Sequence, residues 1–496
     1  MRKKTVEKIQ MILLIGAVIK VLGLVYKIVL TRILGMEGMR LMSLVFPTLS
    51  LALCLSSLCI PAVVNQNIAA NLFTHHTRAS TIVKAALRIT FISSSLISLI
   101  LMASFPLYKV IFETSFIYYP LLMSVPLIYI SNCTGVLRGY LEAKNRFDTT
   151  YLANLFEQIT KIALCFFLLF LFKDSDIKTQ VLLCFLSMTV SEFASFFYIV
   201  AKIKKTTRLR YTDVSSLGYE KKILKQALPL TFNQLVITLD NYLEPFLFYL
   251  VATKVGISIY DATVYYTEVT SFAIPLLIFA HFGVQSISKF TFPKITELRW
   301  QKELLHPVLR QAFFFCFLIA VFNFMLCYFY AEESLLILFK DASSSTVVSS
   351  LAVLYFFAYF NPLFVAILQA YNKEKRLLIT TIVSSFCSLL GIIIWTLIPT
   401  IALEGFVLGL AGGSFVRFLL LFYFAHREVR FKVRKLPLLC LILFCTGYFL
   451  ANLIYHHLLY FLLVTLIAFL LALLLYRQFY RNNKSNPDHT MHKESL

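Results

Sequence analysis

Acidic residues are scarce in this chain. Of 496 residues only 25 are Asp or Glu, against 46 Lys or Arg, and charged residues of both signs make up 14% while 59% are hydrophobic. A soluble protein of this length needs far more charge on its surface, so the composition excludes one and requires a polytopic membrane protein. No C-x-x-C pair occurs among the ten cysteines, which lie in apolar runs as Cys54, Cys59, Cys133, Cys165 and Cys445 do; they read as small hydrophobes, not as a disulfide framework or a zinc site. The histidine doublets His75-His76 and His456-His457 are poor metal sites, because neighbours on a helix point about 100° apart. There is no Walker loop, no H-E-x-x-H, no G-x-S-x-G and no large extramembrane segment to hold a catalytic domain. Nothing here is arranged for bond-breaking by those chemistries.

What is present is a succession of apolar runs of about 20 residues, the length that spans a bilayer as a helix. Fourteen are expected, near 9–34, 41–70, 82–106, 117–138, 150–172, 178–201, 223–250, 262–289, 308–330, 346–370, 377–398, 401–425, 436–454 and 458–478. The net charge of +21 would suit nucleic acid, but the cations follow topology. With loops assigned alternately, roughly 35 of the 46 fall on the side of the N-terminus, about seven on the other side and about four within spans. Both termini are thus expected in the cytoplasm, with anionic lipid as a partner of the cationic loops and no nucleic acid. The first apolar run lacks a small-residue cleavage site and is expected to stay as the first span. The stretch after Arg481, with Asn482, Lys484, Pro487 and Asp488, reads as a disordered tail.

The first span carries two cations where none is expected. At helical spacing Gly16, Lys20, Gly23 and Lys27 fall within about 40° of one another, so one stripe holds both charges and both gaps. A charge near the bilayer centre costs at least about 2.5–3.5 kcal/mol, which is why such residues usually face a bundle interior or a wet cavity. The alternative is snorkelling, Lys20 to one headgroup layer and Lys27 to the other. Glycines on the same face favour a cavity or a close helix neighbour over lipid.

Lys20, Gly23, Lys27, then Arg32, Leu34, Gly35, Glu37, Gly38, and a second span opening with Phe46-Pro47, form a pattern that resembles the oligosaccharide-lipid flippases of the MOP superfamily, in the branch of stage V sporulation protein B and the MurJ-type lipid II flippases. The exit Phe292-Pro293-Lys294-Ile295-Thr296-Glu297 resembles that family's P-x-[IL]-S-E. Members of the family usually carry arginine at the places of Lys20 and Lys27; lysine keeps the charge without the bidentate fork that suits phosphate. The resemblance implies two pseudo-symmetric six-helix lobes plus two C-terminal helices. It implies also a lipid-linked oligosaccharide on an undecaprenyl diphosphate carrier as substrate, no cofactor beyond Na+ or H+ coupling, and a monomer. On that reading the N-terminal lobe covers 1–205, a basic linker 206–222, the C-terminal lobe 223–430 and the trailing helices 436–480, with the tail at 481–496.

Further polar features fit around this. Val136-Leu137-Arg138-Gly139-Tyr140 and Ile367-Leu368-Gln369-Ala370-Tyr371 look like the same helix exit repeated six spans apart, as a parallel duplication would give. In the second span Pro47 and Pro61 free backbone carbonyls that neighbours must satisfy, which makes either a kink beside the cavity or an inner helix end. Glu157 and Lys161 are an i,i+4 pair, either self-neutralising or a gate that exchanges partners. Asn233, Asp240 and Glu244 share a face of the seventh span, which invites a proton or a sodium ion, unless both acids lie near the outer headgroups as Pro245 hints. Glu268, with Thr267, Thr270 and Ser271, adds a polar patch to the eighth.

The leading reading is a flippase whose headgroup site is Lys20, Lys27 and Arg32, with Asp240, Glu244, Asn233, Glu157 and Lys161 as coupling-ion or gating residues, and not an enzyme. A cation-coupled exporter of the MATE type is the first rival, although a lysine-lined cavity repels cationic drugs. A membrane glycosyltransferase or polymerase is the second, and the short outer loops speak against it.

Overall fold

The computed structural model describes residues 2–74, 79–104, 116–206 and 217–430; the two trailing helices expected at 436–480 and the tail at 481–496 lie outside them, as do both histidine doublets and the middle of the basic linker. Among the described residues every regular element is a helix. In order these are α1 (Arg2–Ser57), α2 (Ile60–Thr74), α3 (Ala79–Ala103), α4 (Tyr118–Met123), α5 (Val125–Ala143), α6 (Phe147–Leu171), α7 (Ile177–Thr206) and α8 (Leu217–Lys254). Then follow α9 (Ile259–Thr267), a π-helical turn (Glu268–Ala273), α10 (Ile274–Leu277), α11 (His281–Leu298), α12 (Lys302–Phe329) and α13 (Ala331–Phe339). The last are α14 (Ser345–Ala358), α15 (Asn361–Ala370), α16 (Glu374–Thr396), a 3-10 turn (Pro399–Ile401) and α17 (Glu404–Val429). Ten of the described helices are long and apolar enough to cross a membrane, or up to 11 if the bent pair Ile259–Leu277 and His281–Leu298 is one span. The long apolar stretch Val18–Ala69 is divided at Gly35, whose φ of 63° ends one rod and begins the next, at the boundary between the first two expected spans.

Two compact units make up the described chain: one runs to Phe272 and includes Thr381–Gly413, the other holds Ala273–Thr380 and the chain from Ser414. In the first unit, Ile60, Val64, Ile82, Ala86, Val136 and Tyr140 form a buried core shared by α2, α3 and α5. The second unit is built on α11, α12, α15 and the end of α17, with Val284, Leu309, Cys316, Leu363, Ile367 and Leu421 inside.

The second expected span is broken at Leu58 and Cys59, both with φ of 48°, just before Pro61. A kink, not a helix end, is therefore what the proline marks, since α2 continues to Thr74. The carbonyl of Ser56 above the break is satisfied by Ser93 Oγ at 2.6 Å. A corresponding break at Ile278–Ala280 leaves the Leu277 carbonyl to Asn323 Nδ2 at 2.8 Å and Tyr359 Oη at 2.9 Å. In both places a neighbouring side chain replaces the lost helical donor, as burial away from water requires.

Those breaks belong to a wider repetition. Gly35 and Gly256 both have positive φ, and both broken spans follow them at the same interval, Leu58-Cys59 after the first and Phe279-Ala280 after the second. Further on, Asn145 (φ 56°) and Asn372 (φ 55°) end α5 and α15 with the same cap. Arg146 N–H donates to Leu141 O and Lys373 N–H to Leu368 O, each at 2.9 Å, the six-to-one bond of a Schellman motif with asparagine in the left-handed position. The helices that follow start in step, α6 at Phe147 and α16 at Glu374, α7 at Ile177 and α17 at Glu404, a constant interval of 227 residues. The expected pairing of Tyr140 with Tyr371 is thus one helical turn out of register. Leu141-Glu142-Ala143-Lys144-Asn145-Arg146 matches Leu368-Gln369-Ala370-Tyr371-Asn372-Lys373, and the asparagine that tolerates positive φ is what aligns them.

Glycine matters where backbones meet. A Cβ on Gly139 would stand 2.3 Å from the Pro61 carbonyl oxygen, whereas one on Gly23 would meet Gln158 at an ordinary 3.5 Å. Gly139→Ala is expected to destabilise the first unit by about 1–3 kcal/mol and Gly23→Ala to be near neutral. Thermal unfolding of the detergent-solubilised variants checks this, and equal melting temperatures would contradict it.

Candidate functional site

The stripe of lysines and glycines on α1 serves two neighbours. Gly16 faces Tyr151 and Gly23 faces Gln158 of α6, each with room for a Cβ at 3.5 Å; the partners are seven residues apart, as are the glycines, so the two helices run side by side in a heptad-like register. Farther along, Tyr26 meets Phe166 with ring centroids 5.9 Å apart, and its hydroxyl donates to Cys165 Sγ at 3.5 Å. The glycine face is therefore covered by protein.

Lys27 turns to the other side. Its ammonium donates to the carbonyl of Thr270 at 3.3 Å, inside the π-helical turn Glu268–Ala273. A π turn displaces the regular hydrogen bonds of a helix and is common at functional positions. At 1.5 Å per residue Lys27 sits roughly 12 Å from the Gly35 break, and Thr270 roughly 16 Å from the start of α9. Both distances are about half of a hydrocarbon layer of about 30 Å, and the ammonium is held on a protein carbonyl. Lys20 lies about two turns earlier and is exposed, and Arg32, also exposed, is within one turn of Gly35. These three are not gathered at one point: Lys27 is fixed on α9's extension, while Arg32 belongs to the rim.

The rim itself is held by Arg40, which the sequence did not single out. Its guanidinium forks onto Glu37, Nε to Oε2 at 3.0 Å and Nη2 to Oε1 at 2.6 Å. It also donates to Thr263 Oγ1 at 3.2 Å and lies over the Tyr260 ring at 4.6 Å. A fork, a hydroxyl and an aromatic face together use the geometry in which arginine differs from lysine.

On α8 the three polar residues differ in their surroundings. Asp240 Oδ2 accepts from Ser385 Oγ of α16 at 2.6 Å, and Glu244 is half-buried one turn on, whereas Asn233 is exposed. The helix continues through Pro245 to Lys254, which puts Glu244 roughly 15 Å and Asp240 roughly 21 Å from that end. Pro245 thus lies inside α8 and does not mark its end. Beside them, Ser43, Pro47 and Thr48 of α1 and Tyr242, Pro245 and Tyr249 of α8 line a small cavity.

The expected pair of Glu157 with Lys161 is also corrected. Glu157 Oε2 accepts from Arg138 Nη2 at 2.7 Å, and the same nitrogen donates to Ser195 Oγ at 2.9 Å. Lys161 lies instead over the Tyr26 ring, 5.2 Å from its centroid. A guanidinium held between partners on α6 and α7 takes the carboxylate in place of the flexible ammonium one turn away. Arg138 and Glu192 were legible as lone ionisable residues within spans, the usual sign of a partner elsewhere.

Comparison with known proteins follows this geometry. Stage V sporulation protein B of Bacillus subtilis (strain 168) is 26% identical over 424 residues, covering 83% of this chain and 82% of that protein. The lipid II flippase MurJ in its inward closed conformation superposes with a TM-score of 0.62 at 18% identity, over 94% of this chain and 99% of MurJ. An inward-facing multidrug resistance MATE family transporter of the MOP superfamily gives a TM-score of 0.65 at 16% identity, over 83% and 94%. These neighbours are transporters and a flippase, not enzymes, in keeping with the resemblance read from the opening spans. The profile of the polysaccharide biosynthesis proteins matches residues 5–282, and with more than half its length so matched the chain belongs to that family.

Proposed function

We propose that this protein is a flippase that carries an undecaprenyl-diphosphate-linked oligosaccharide, such as a cell-wall precursor, from the inner to the outer leaflet of the plasma membrane. The observation that carries this reading is Lys27, a cation within an apolar span held on the carbonyl of a π turn. A diphosphate is the headgroup chemistry that such an ammonium attracts, and a cationic drug is what it repels, which favours the flippase over the exporter. Lys27 and Lys20 would meet the headgroup within the membrane and Arg32 at the rim, while the lipid tail stays among acyl chains. The repeated backbone landmarks support two lobes that rock about the headgroup site by alternating access. Both termini lie in the cytoplasm on the cation count, and the protein acts as a monomer.

No nucleotide site drives the cycle, so an ion or the membrane potential does. One charge crossing 100 mV is worth about 2.3 kcal/mol. Asp240, which accepts a hydrogen bond from Ser385, and Glu244 would take up the sodium ion or the proton. Depletion of the protein in its own cell tests the reading. Undecaprenyl-linked precursor is expected to accumulate on the cytoplasmic side; no accumulation, with heightened sensitivity to cationic dyes, would overturn it in favour of export.

A further inference from the structure

Three helices of the first unit bring one arginine and two glutamates to a point. Arg138 of α5 holds Glu157 of α6 and Ser195 of α7, as described, and its Nη2 stands 3.8 Å from Glu192 Oε1, also of α7. The Glu192 side chain is only 7% exposed, and Oε1 accepts no hydrogen bond. The guanidinium nitrogen that holds Glu157 at 2.7 Å therefore stands between two carboxyl groups. Two carboxylates on one guanidinium carry one negative charge more than it balances, and a like charge held close favours a proton on one of them.

The other ionisable groups facing the cluster are Lys161 and Cys165 on α6, Glu142 on α5 and Tyr26 on α1. Lys161 is engaged with the Tyr26 ring and makes no ion pair with either glutamate within 4 Å among the described residues. The fold does not require the cluster. In the second copy of the repeated backbone, 227 residues on, the places of Arg138, Glu157, Glu192 and Ser195 are taken by Val365, Ser384, Leu419 and Phe422. The same succession of helices forms there with no charge at any of those four places.

We propose that Glu157 and Glu192 form a proton-binding site in which one exchangeable proton is shared between the two carboxyl groups and Arg138 balances the charge that remains. Binding makes one O–H bond on a carboxylate, and release returns the proton to water, with no change of oxidation state. The site is built from α5, α6 and α7, whereas Asp240 and Glu244 are on α8, and it stands whether or not the cargo is a lipid-linked sugar.

Infrared difference spectroscopy of the full chain in vesicles, between acid and alkaline pH, tests this. Wild type is expected to show a protonated-carboxyl band that titrates and is diminished by one group in Glu192→Gln and likewise in Glu157→Gln. Counting protons released over the same pH range with an indicator dye should give one fewer per molecule in each variant. If one variant fails to fold, the other carries the test, and the wild-type titration needs neither. A band and a proton count unchanged in a folded Glu192→Gln or Glu157→Gln overturn the proposal. So does no titrating carboxyl in wild type, or displacement of the band by sodium at fixed pH, which would make the ligand a metal cation.

Discussion

Lys27→Ala is expected to lower translocation roughly 10- to 100-fold, because a charged hydrogen bond to an anionic cargo is worth about 1.5–3 kcal/mol and each 1.36 kcal/mol is tenfold in rate. The variant should still insert, since the α1 face that packs on α6 is made by Gly16, Gly23 and Tyr26 and not by the lysine. Two effects need separating, for the substitution also strips the Thr270 carbonyl of its donor. Lys27→Arg restores a donor and the charge together and should keep most transport. Lys27→Gln restores only a donor and should stay slow. The double variant Lys20→Ala/Lys27→Ala, reconstituted in proteoliposomes with a labelled lipid-linked oligosaccharide, gives the decisive reading. Transport at the wild-type rate would remove the lysines from the headgroup site.

Gly409→Leu is expected to be the most damaging single packing change. Gly405, Gly409 and Gly413 recur every four residues on α17, and α16 lies against that ridge almost without separation. A Cβ on Gly409 would stand 2.4 Å from the backbone nitrogen of Ile392, one on Gly405 2.4 Å from that of Thr396, and one on Gly413 2.5 Å from Ser388 Cβ. A Cβ has no flexible neighbour to displace here, so the helices must part, and even Ala should exceed the usual 1–3 kcal/mol of an overpacked site. Parting them also moves Ser385, which hydrogen-bonds Asp240. Gly409→Leu should therefore lower the recovery of folded protein and Gly409→Ala the melting temperature, with transport falling further than stability alone explains. A Gly409→Leu protein that melts like wild type would show that the close approach is not real. Gly412, with open space around it, is the control position.

The sequence pattern located these elements better than it paired them. Apolar run length placed the spans, and helical spacing put Asp240 and Glu244 on one face. Neither says which neighbour a face meets. Ser385 is 145 residues from Asp240, and Glu157 found Arg138 on another helix in place of Lys161 one turn away, because local spacing offers a partner and tertiary packing chooses one. On α1 the stripe was read as one surface, yet residues within a narrow arc divide when short side chains admit a helix and a long one reaches past it. The repeat was matched on tyrosines, which any helix accommodates, when the informative residues were Asn145 and Asn372, whose conformation few side chains adopt. The glycine ridge of α17 is legible as G-x-x-x-G-x-x-x-G over Gly405, Gly409 and Gly413, but spacing alone does not name the helix it meets.

Pro61 presses its carbonyl against Gly139, and that wedge has a mechanical consequence. α2 can neither slide along α5 nor roll on it without parting that contact, so the two helices are locked in one register. Leu58 and Cys59, outside the right-handed helical region, separate that locked pair from the rod that precedes it.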